Sequence, residues 1–521
     1  MSTNAIDDAI LDLRLPFDES SCREKNFPTM SERTASVPTD LEAEKEQVQA
    51  LSEEIVFVDS NLVTWDGSDD PTNPMNFKFG AKISALAIVS TLNFLVPLGS
   101  SMFAPGVPSM MTEFGNSNSI LASFVVSIYV LGFAIGPLIV GPLSEMYGRL
   151  IVFKVSMFLF TAFTIGAGEC NNLTSLIVLR LLAGLIGSTS LAIGAGSVAD
   201  VIPIEKRGRY LNLYLLGPTL GPAIGPVIGG FLSAVSWRWV FRVIGIISGI
   251  MTIVVFVFLP ETYGPYVLHV KANRLRKETG NDKLRTEYEN RMSGTVPYFM
   301  KTIIRPCKLL IMSPIVLIMS IYVAITYGQL YLLLTTFTSV FQNQYKFSTE
   351  AVGLSYLAMG LGTLVSILTI VAYSDRVLLN MAAKSGDKKP EYRLWLLLVL
   401  SPMDIIGLLI YGWTVQYAVH WIVPLIGTFC LGVGIFATFS PTISYLVDAY
   451  TIYAASANSA STMVRSLGGA FLPLAGPKIY AALGHGWGNT LLALIMLAIA
   501  PAPVLMYFKG ESLRKRFNPS L

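Results

Sequence analysis

Charge is scarce in this chain. Of 521 residues only 14% are Asp, Glu, Lys or Arg, against 53% hydrophobic, where soluble domains run near a quarter charged. So few charges cannot cover an aqueous surface of that length, which excludes a cytosolic enzyme. The net charge of +3 is too small to argue for a nucleic-acid partner. Cysteine is equally rare: Cys22, Cys170, Cys307 and Cys430 have no paired spacing, so neither a zinc site nor a disulfide framework is indicated. The three histidines, His269, His420 and His485, are dispersed, and the pattern calls for no metal, no cofactor and no catalytic constellation. A Gly-x-x-x-x-Gly-Lys phosphate loop is also missing, which argues against an ATP-driven pump.

What the chain does have is long apolar runs. A hydrocarbon layer about 30 Å thick takes about 20 apolar residues per helix. That ruler predicts twelve spans, at 83–103, 120–140, 151–170, 174–199, 211–232, 239–259, 310–336, 351–373, 394–413, 419–445, 456–481 and 489–508. The expected fold class is therefore an all-α membrane protein. Its expected parts are a disordered N-terminal tail (1–80), two six-helix halves (81–260 and 310–508), a central loop (261–309) and a short C-terminal tail (509–521). The N-terminus is polar and mixed in charge, unlike a cleavable signal peptide, so the first span is expected to serve as the targeting signal. Within the tail only Trp65-Asp66-Gly67 through Asp69-Asp70-Pro71 looks specific.

The few basic residues are sorted. With the N-terminus inside, 26 Lys and Arg fall in loops on the cytosolic side and four (Arg238, Arg242, Lys346 and Lys478) on the other. Cytosolic loops carry the Lys and Arg excess, so both termini are expected in the cytosol. Two further arginines, Arg180 and Arg465, fall inside spans.

The two halves look like copies. Glu145 matches Asp375 at an offset of 230, whereas Asp200 matches Asp448 and Gly221 matches Gly469 at 248. The change of 18 is absorbed by the longer loop after Asp375. Two six-helix halves with substrate at the midplane between them is a known secondary-transporter plan.

Four groups of residues carry the functional argument. The turn between spans 2 and 3 has Gly141 and Gly148 for tightness, with Glu145 and Arg149 expected to pair; Asp375 and Arg376 are their second-half counterparts. Arg180, in Leu179-Arg180-Leu181, is expensive at that depth unless it faces a cavity or a partner. Asp404, near the middle of span 9, raises the same question and is a candidate proton carrier, or else pairs with a neighbouring helix. Span 5 places Gly217, Gly221, Gly225 and Gly229 four apart, on one helix face, where backbones can approach closely. Pro218, Pro222 and Pro226 follow the first three and should kink the helix. For substrate contact the candidates are Asn93, Tyr129, Tyr327, Gln329 and Tyr331, aromatic and amide groups near mid-helix. Asn172 opens the one sequon, Asn172-Leu173-Thr174, close to the membrane surface.

These motifs resemble the major facilitator superfamily. The 141–149 turn is similar to its loop signature, with Glu145 where Asp is commoner, and implies a latch that forms in one access state. Arg180 is similar to the arginine motif of proton-linked members, although Ala183 replaces the usual Gln. The Gly-Pro pairs of span 5 resemble the antiporter signature of drug exporters, which uptake symporters lack. With Pro260-Glu261-Thr262-Tyr263, Pro390-Glu391-Tyr392-Arg393 and Tyr445-Leu446-Val447-Asp448-Ala449-Tyr450, residues 65–508 resemble fungal twelve-span drug:proton antiporters, where Asp404 interrupts a usually apolar stretch. The resemblance implies a monomeric plasma-membrane exporter of lipophilic small molecules such as drugs or secondary metabolites, driven by protons and working by alternating access. An uptake symporter is the competing reading, and span 5 argues against it.

Overall fold

The computed structural model describes residues 61–287, 296–387, 389–450 and 454–517; most of the expected tail lies outside them. From Ser60 onward the chain forms one compact unit. Among the described residues the regular structure is helical apart from a single bridge between Leu62 and Arg285.

Asn and Ser N-caps open several spans by accepting backbone N–H groups that the first turn leaves unpaired. Asn118 starts span 2 (Ser119–Tyr147), Asn172 span 4 (Leu173–Gly187, continued by Thr189–Val201), Ser236 span 6 (Trp237–Phe258) and Ser313 span 7 (Pro314–Asn343). Span 1 is Phe79–Ser101, span 3 Arg149–Gly168 and span 5 Ile204–Val235. In the second half, span 8 is Leu357–Ser385, span 9 Pro402–Gln416 after a short Trp395–Leu400 turn, and span 10 Ile422–Ala449. Among the described residues eleven helices are long and apolar enough to cross a membrane. The last of these contains two spans: the helix Ala454–Ile499 turns at Gly484, whose φ of 72° suits glycine, so spans 11 and 12 meet there without a loop. The twelve expected spans are therefore all present. Outward residues such as Ile253 and Leu368 are apolar and exposed, as a lipid-facing surface requires.

The duplication is visible in the packing. Span 5 lies on span 1, and span 11 on span 7. In the second half the glycine in backbone contact with span 7 is Gly468, where an added Cβ would stand 2.1 Å from Ala324 O. Gly469, the residue expected from the offset, turns instead toward Tyr327 and Val130.

Two expectations are corrected. The end of the expected loose tail, residues 61–80, is held in place: Asp70 accepts from Thr72 N, Thr72 Oγ1 and Asp66 N, and Lys271 Nζ reaches Asp66 at 2.7 Å and Thr64 O at 3.0 Å. The hydrogen bond from the Thr72 hydroxyl, then those from the two backbone amides, hold the Asp70 carboxyl down at about 2. The central loop, in turn, contains two helices, Gly264–Thr279 and Val296–Met312. The face of the molecule carrying Arg149, Arg393 and these loop helices is called the basic face below.

Candidate functional site

The glycines and prolines of span 5 face different neighbours. An added Cβ on Gly217, Gly221, Gly225 or Gly229 would come within 3.0 Å of span 1, and within 1.8 Å of Met102 O at Gly229. Spacing of four keeps all of them on that side. One residue on, Pro218 and Pro222 line a small apolar cavity shared with Tyr327, Met359, Phe436 and Phe439 of the second half. The three prolines do not divide the span, which remains one helix of 32 residues. Each does remove a backbone donor, leaving the carbonyl four residues earlier unserved. Asn93 answers the first: its Nδ2 donates to Tyr214 O at 2.9 Å, the carbonyl opposite Pro218. The amide expected to meet substrate thus bonds the backbone of span 5.

Arg180 is 1% exposed and has no ion pair among the described residues. Its Nε donates to Val125 O at 2.6 Å and its Nη2 to Ser100 O at 3.1 Å. The guanidinium also sits 5.2 Å from the Phe103 ring centre and 5.1 Å from that of Tyr129. Carbonyl dipoles and aromatic faces thus offset the desolvation of a cation at this depth. The same Ser100 carries its hydroxyl 2.7 Å from Tyr331 Oη, joining span 1 to span 7 of the other half. Tyr129 donates to Val96 O at 3.0 Å. Tyr327 packs on Tyr331 with ring centres 5.1 Å apart, and Arg465 lies over Tyr327 and Phe439 at 4.9 and 4.3 Å. Four of the five expected substrate contacts are therefore bonded or stacked: Asn93 and Tyr129 within the first half, Tyr331 across to Ser100, and Tyr327 on Tyr331. The fifth, Gln329, is buried with neither amide atom hydrogen-bonded.

Asp404 is not part of that cluster. It is fully buried between spans 9 and 10, neither carboxyl oxygen has a hydrogen-bond partner, and an added Cβ on Gly434 would stand 2.2 Å from its backbone N.

On the basic face the expected pairing changes. The carboxylate partner of Arg149 is Asp200, at 3.3 Å, and Arg149 Nη1 also donates to Ser144 Oγ at 2.6 Å. Glu145 lies nearby on the wall of the same cleft. The carboxylate facing the N-terminus of span 3 is Glu261, which accepts from Arg149 N and Leu150 N, both at 3.0 Å. Gly148 (φ 84°) leaves room for it, since a Cβ there would be 2.4 Å from Glu261 Oε2. In the second half Asp375 pairs at 3.0 Å with Arg393, which also holds Asp448 at 2.8 Å. Arg376, a gating-loop candidate, is exposed. Arg393–Asp448 thus repeats Arg149–Asp200. Sequence reasoning missed Arg393 and Glu261, although both lie in runs it had singled out. Asn172 is spent locally: its Oδ1 caps Ser175 N at 2.7 Å, with the residue exposed.

Between the halves the closed mid-membrane layer separates two clefts. One, of about 410 Å³, opens to the basic face beside Gly141, Glu145, Arg149 and Arg305. The other, of about 470 Å³, opens to the opposite face between the loop 115–118 and spans 7 and 11. A duplicated twelve-span bundle with a sealed centre and a cleft on each side is the architecture of a secondary transporter in an occluded arrangement.

The chain belongs to the Major Facilitator Superfamily, whose model matches residues 89–473. It is 48% identical to the MFS-type transporter penM of Penicillium rubens, over 93% of this chain and 96% of that protein. To the efflux pump radE of Floropilus chiversii it is 46% identical, over 89% and 87%. Among solved structures it resembles the xylose transporter XylE from E. coli in a partially occluded inward-open conformation, with a TM-score of 0.59 over 82% of this chain and 98% of that one. At 14% identity that likeness speaks for the fold alone.

Proposed function

We propose that this protein is a proton-coupled exporter of lipophilic small molecules, in the plasma membrane, monomeric, with its basic face in the cytosol. The observation that carries the reading is span 5, whose glycines seat it on span 1 while Pro218 and Pro222 turn toward the aromatic cavity of the other half. The efflux pump among its relatives argues for the same direction. The excess of Lys and Arg on one face argues for its orientation.

In this reading the Arg149–Asp200 and Arg393–Asp448 pairs hold the basic face closed in one access state and part in the other. Arg180 and Asp404 serve proton coupling in different ways. Asp404 exchanges the proton, because a buried carboxyl without partners has the most to gain from binding one. Arg180 transmits the change to Ser100 and so to the contact between halves. Tyr327 and Gln329, beside the sealed centre, meet substrate once the halves separate.

The test is accumulation of the neutral lipophilic dye Nile red in yeast cells with and without the protein. Export predicts lower accumulation in producing cells, abolished by a protonophore. Higher accumulation in producing cells would assign the opposite direction.

A further inference from the structure

We infer that the 470 Å³ cleft on the face opposite the basic one is a binding site for a neutral solute carrying both hydroxyl and carbonyl groups. This deepens the export reading by naming a substrate class, and its test is independent of transport.

The cleft is ligand-sized, and its wall contains no Asp, Glu, Lys or Arg; Tyr480 and His485 are its only ionisable side chains. The cleft on the basic face, by contrast, is lined by Glu145, Arg149 and Arg305. An ion moving into the uncharged cleft would lose hydration with no opposite charge to replace it.

The hydrogen-bonding capacity of the wall is divided by side. Along span 7 the hydroxyls have spent their protons. Thr335 and Thr336 donate to Leu332 O at 2.9 and 2.8 Å, and Ser339 donates to Thr336 O at 2.7 Å. Such a hydroxyl keeps lone pairs and presents an acceptor. Across the cleft the loop carboxamides have done the reverse. Asn116 Oδ1 accepts from Asn118 N at 2.8 Å, and Asn118 Oδ1 accepts from Ile120 N at 2.9 Å and Leu121 N at 3.3 Å. Those bonds engage the oxygens, and neither Nδ2 has a partner among the described residues, so the two carboxamides present donors, beside the Ser117 and Ser119 hydroxyls. A solute bridging the cleft therefore turns a carbonyl toward the loop and a hydroxyl toward span 7. Ala104, Val107 and Met111 supply apolar wall for its body.

The experiment measures binding of radiolabelled corticosterone, a neutral hydroxyketone, and of its anionic hemisuccinate ester to the full chain in nanodiscs, with empty nanodiscs subtracted. Asn118→Asp keeps the cap on span 2 while removing the amide donors, and Thr335→Val removes an acceptor at constant volume, so neither should unfold the protein. Saturable corticosterone binding is expected, several-fold weaker in each variant as a neutral hydrogen bond is lost, with the ester binding much more weakly. No saturable binding, equal binding of the ester, or unchanged binding in both variants would each overturn the inference. None of these results depends on export, so dye efflux with failed binding sinks only this site.

Discussion

Ser100 Oγ and Tyr331 Oη stand 2.7 Å apart, a direct hydrogen bond between side chains of the two halves at mid-membrane. Arg180 holds the carbonyl of that same Ser100. A cation in the first half is thus one residue away from the bond that closes the centre, which provides a physical path from charge to conformation.

Removing that bond should loosen the centre without harming the fold. Tyr331→Phe keeps the ring packed on Tyr327 and loses one hydrogen bond, worth about 0.5–1.5 kcal/mol. The opposite-face cleft should therefore open in a larger share of molecules. Spin labels at Ser117 and Ala481, measured by double electron–electron resonance, should report a longer mean distance; an unchanged distribution would show that the bond does not hold the halves.

The ion pairs on the basic face should differ in sensitivity. Among the described residues Arg149 has one carboxylate partner, Asp200, with both side chains largely buried, whereas Arg393 has two, Asp375 and Asp448. Asp200→Asn strips a shielded guanidinium of its partner, a loss of the class that costs a few kcal/mol. Asp448→Asn leaves Arg393 with Asp375. Dye efflux per molecule at the membrane should fall much further in Asp200→Asn; equal losses would remove the asymmetry.

Asn93 and Pro218 form a rescue pair. Asn93→Ala leaves Tyr214 O without its donor, at about 1–3 kcal/mol for an unsatisfied buried group. Adding Pro218→Ala restores a backbone N–H four residues on, so the double variant should melt above the single one in detergent. If it melts lower, the proline serves a different purpose.

The clasp between residues 61–72 and the helix Gly264–Thr279 should tolerate acid. Hydrogen bonds hold the Asp70 carboxyl at about 2, below its unfolded value of 3.8. A lowered carboxylate contributes stability that is complete above the unfolded value and disappears as pH falls through the folded one. Hydrogen exchange of residues 264–279 should accordingly be equally slow from pH 7 to pH 5 after correction for the intrinsic rate, while Asp70→Asn should speed it at both.

The sequence revealed elements whose cause is local or periodic. Twelve apolar runs gave the spans, four-residue glycine spacing gave the face of span 5, and Arg180 within an apolar run announced a buried cation. What it concealed depends on where distant segments meet. Glu261 caps span 3 from more than a hundred residues away, and no spacing rule connects the two. The match to Glu145 places Asp375 in the gating loop, but its partner Arg393 comes back across the loop from 18 residues away. Asn93 read as a ligand because its true partner is a carbonyl created by a proline in another helix. The shift from Gly469 to Gly468 is the same lesson on one turn of helix: an offset identifies the segment, and packing chooses the residue.

The most direct test of the central account is efflux from proteoliposomes with an imposed pH gradient, comparing the natural chain, Arg180→Ala and Asp404→Asn. The account predicts that the neutral dye Nile red leaves the basic-face side when the opposite side is made acidic. Asp404→Asn should transport without responding to the gradient, and Arg180→Ala should fail to transport while still inserting. Efflux that ignores the gradient in the natural chain, or persists with full pH dependence in both variants, would contradict it.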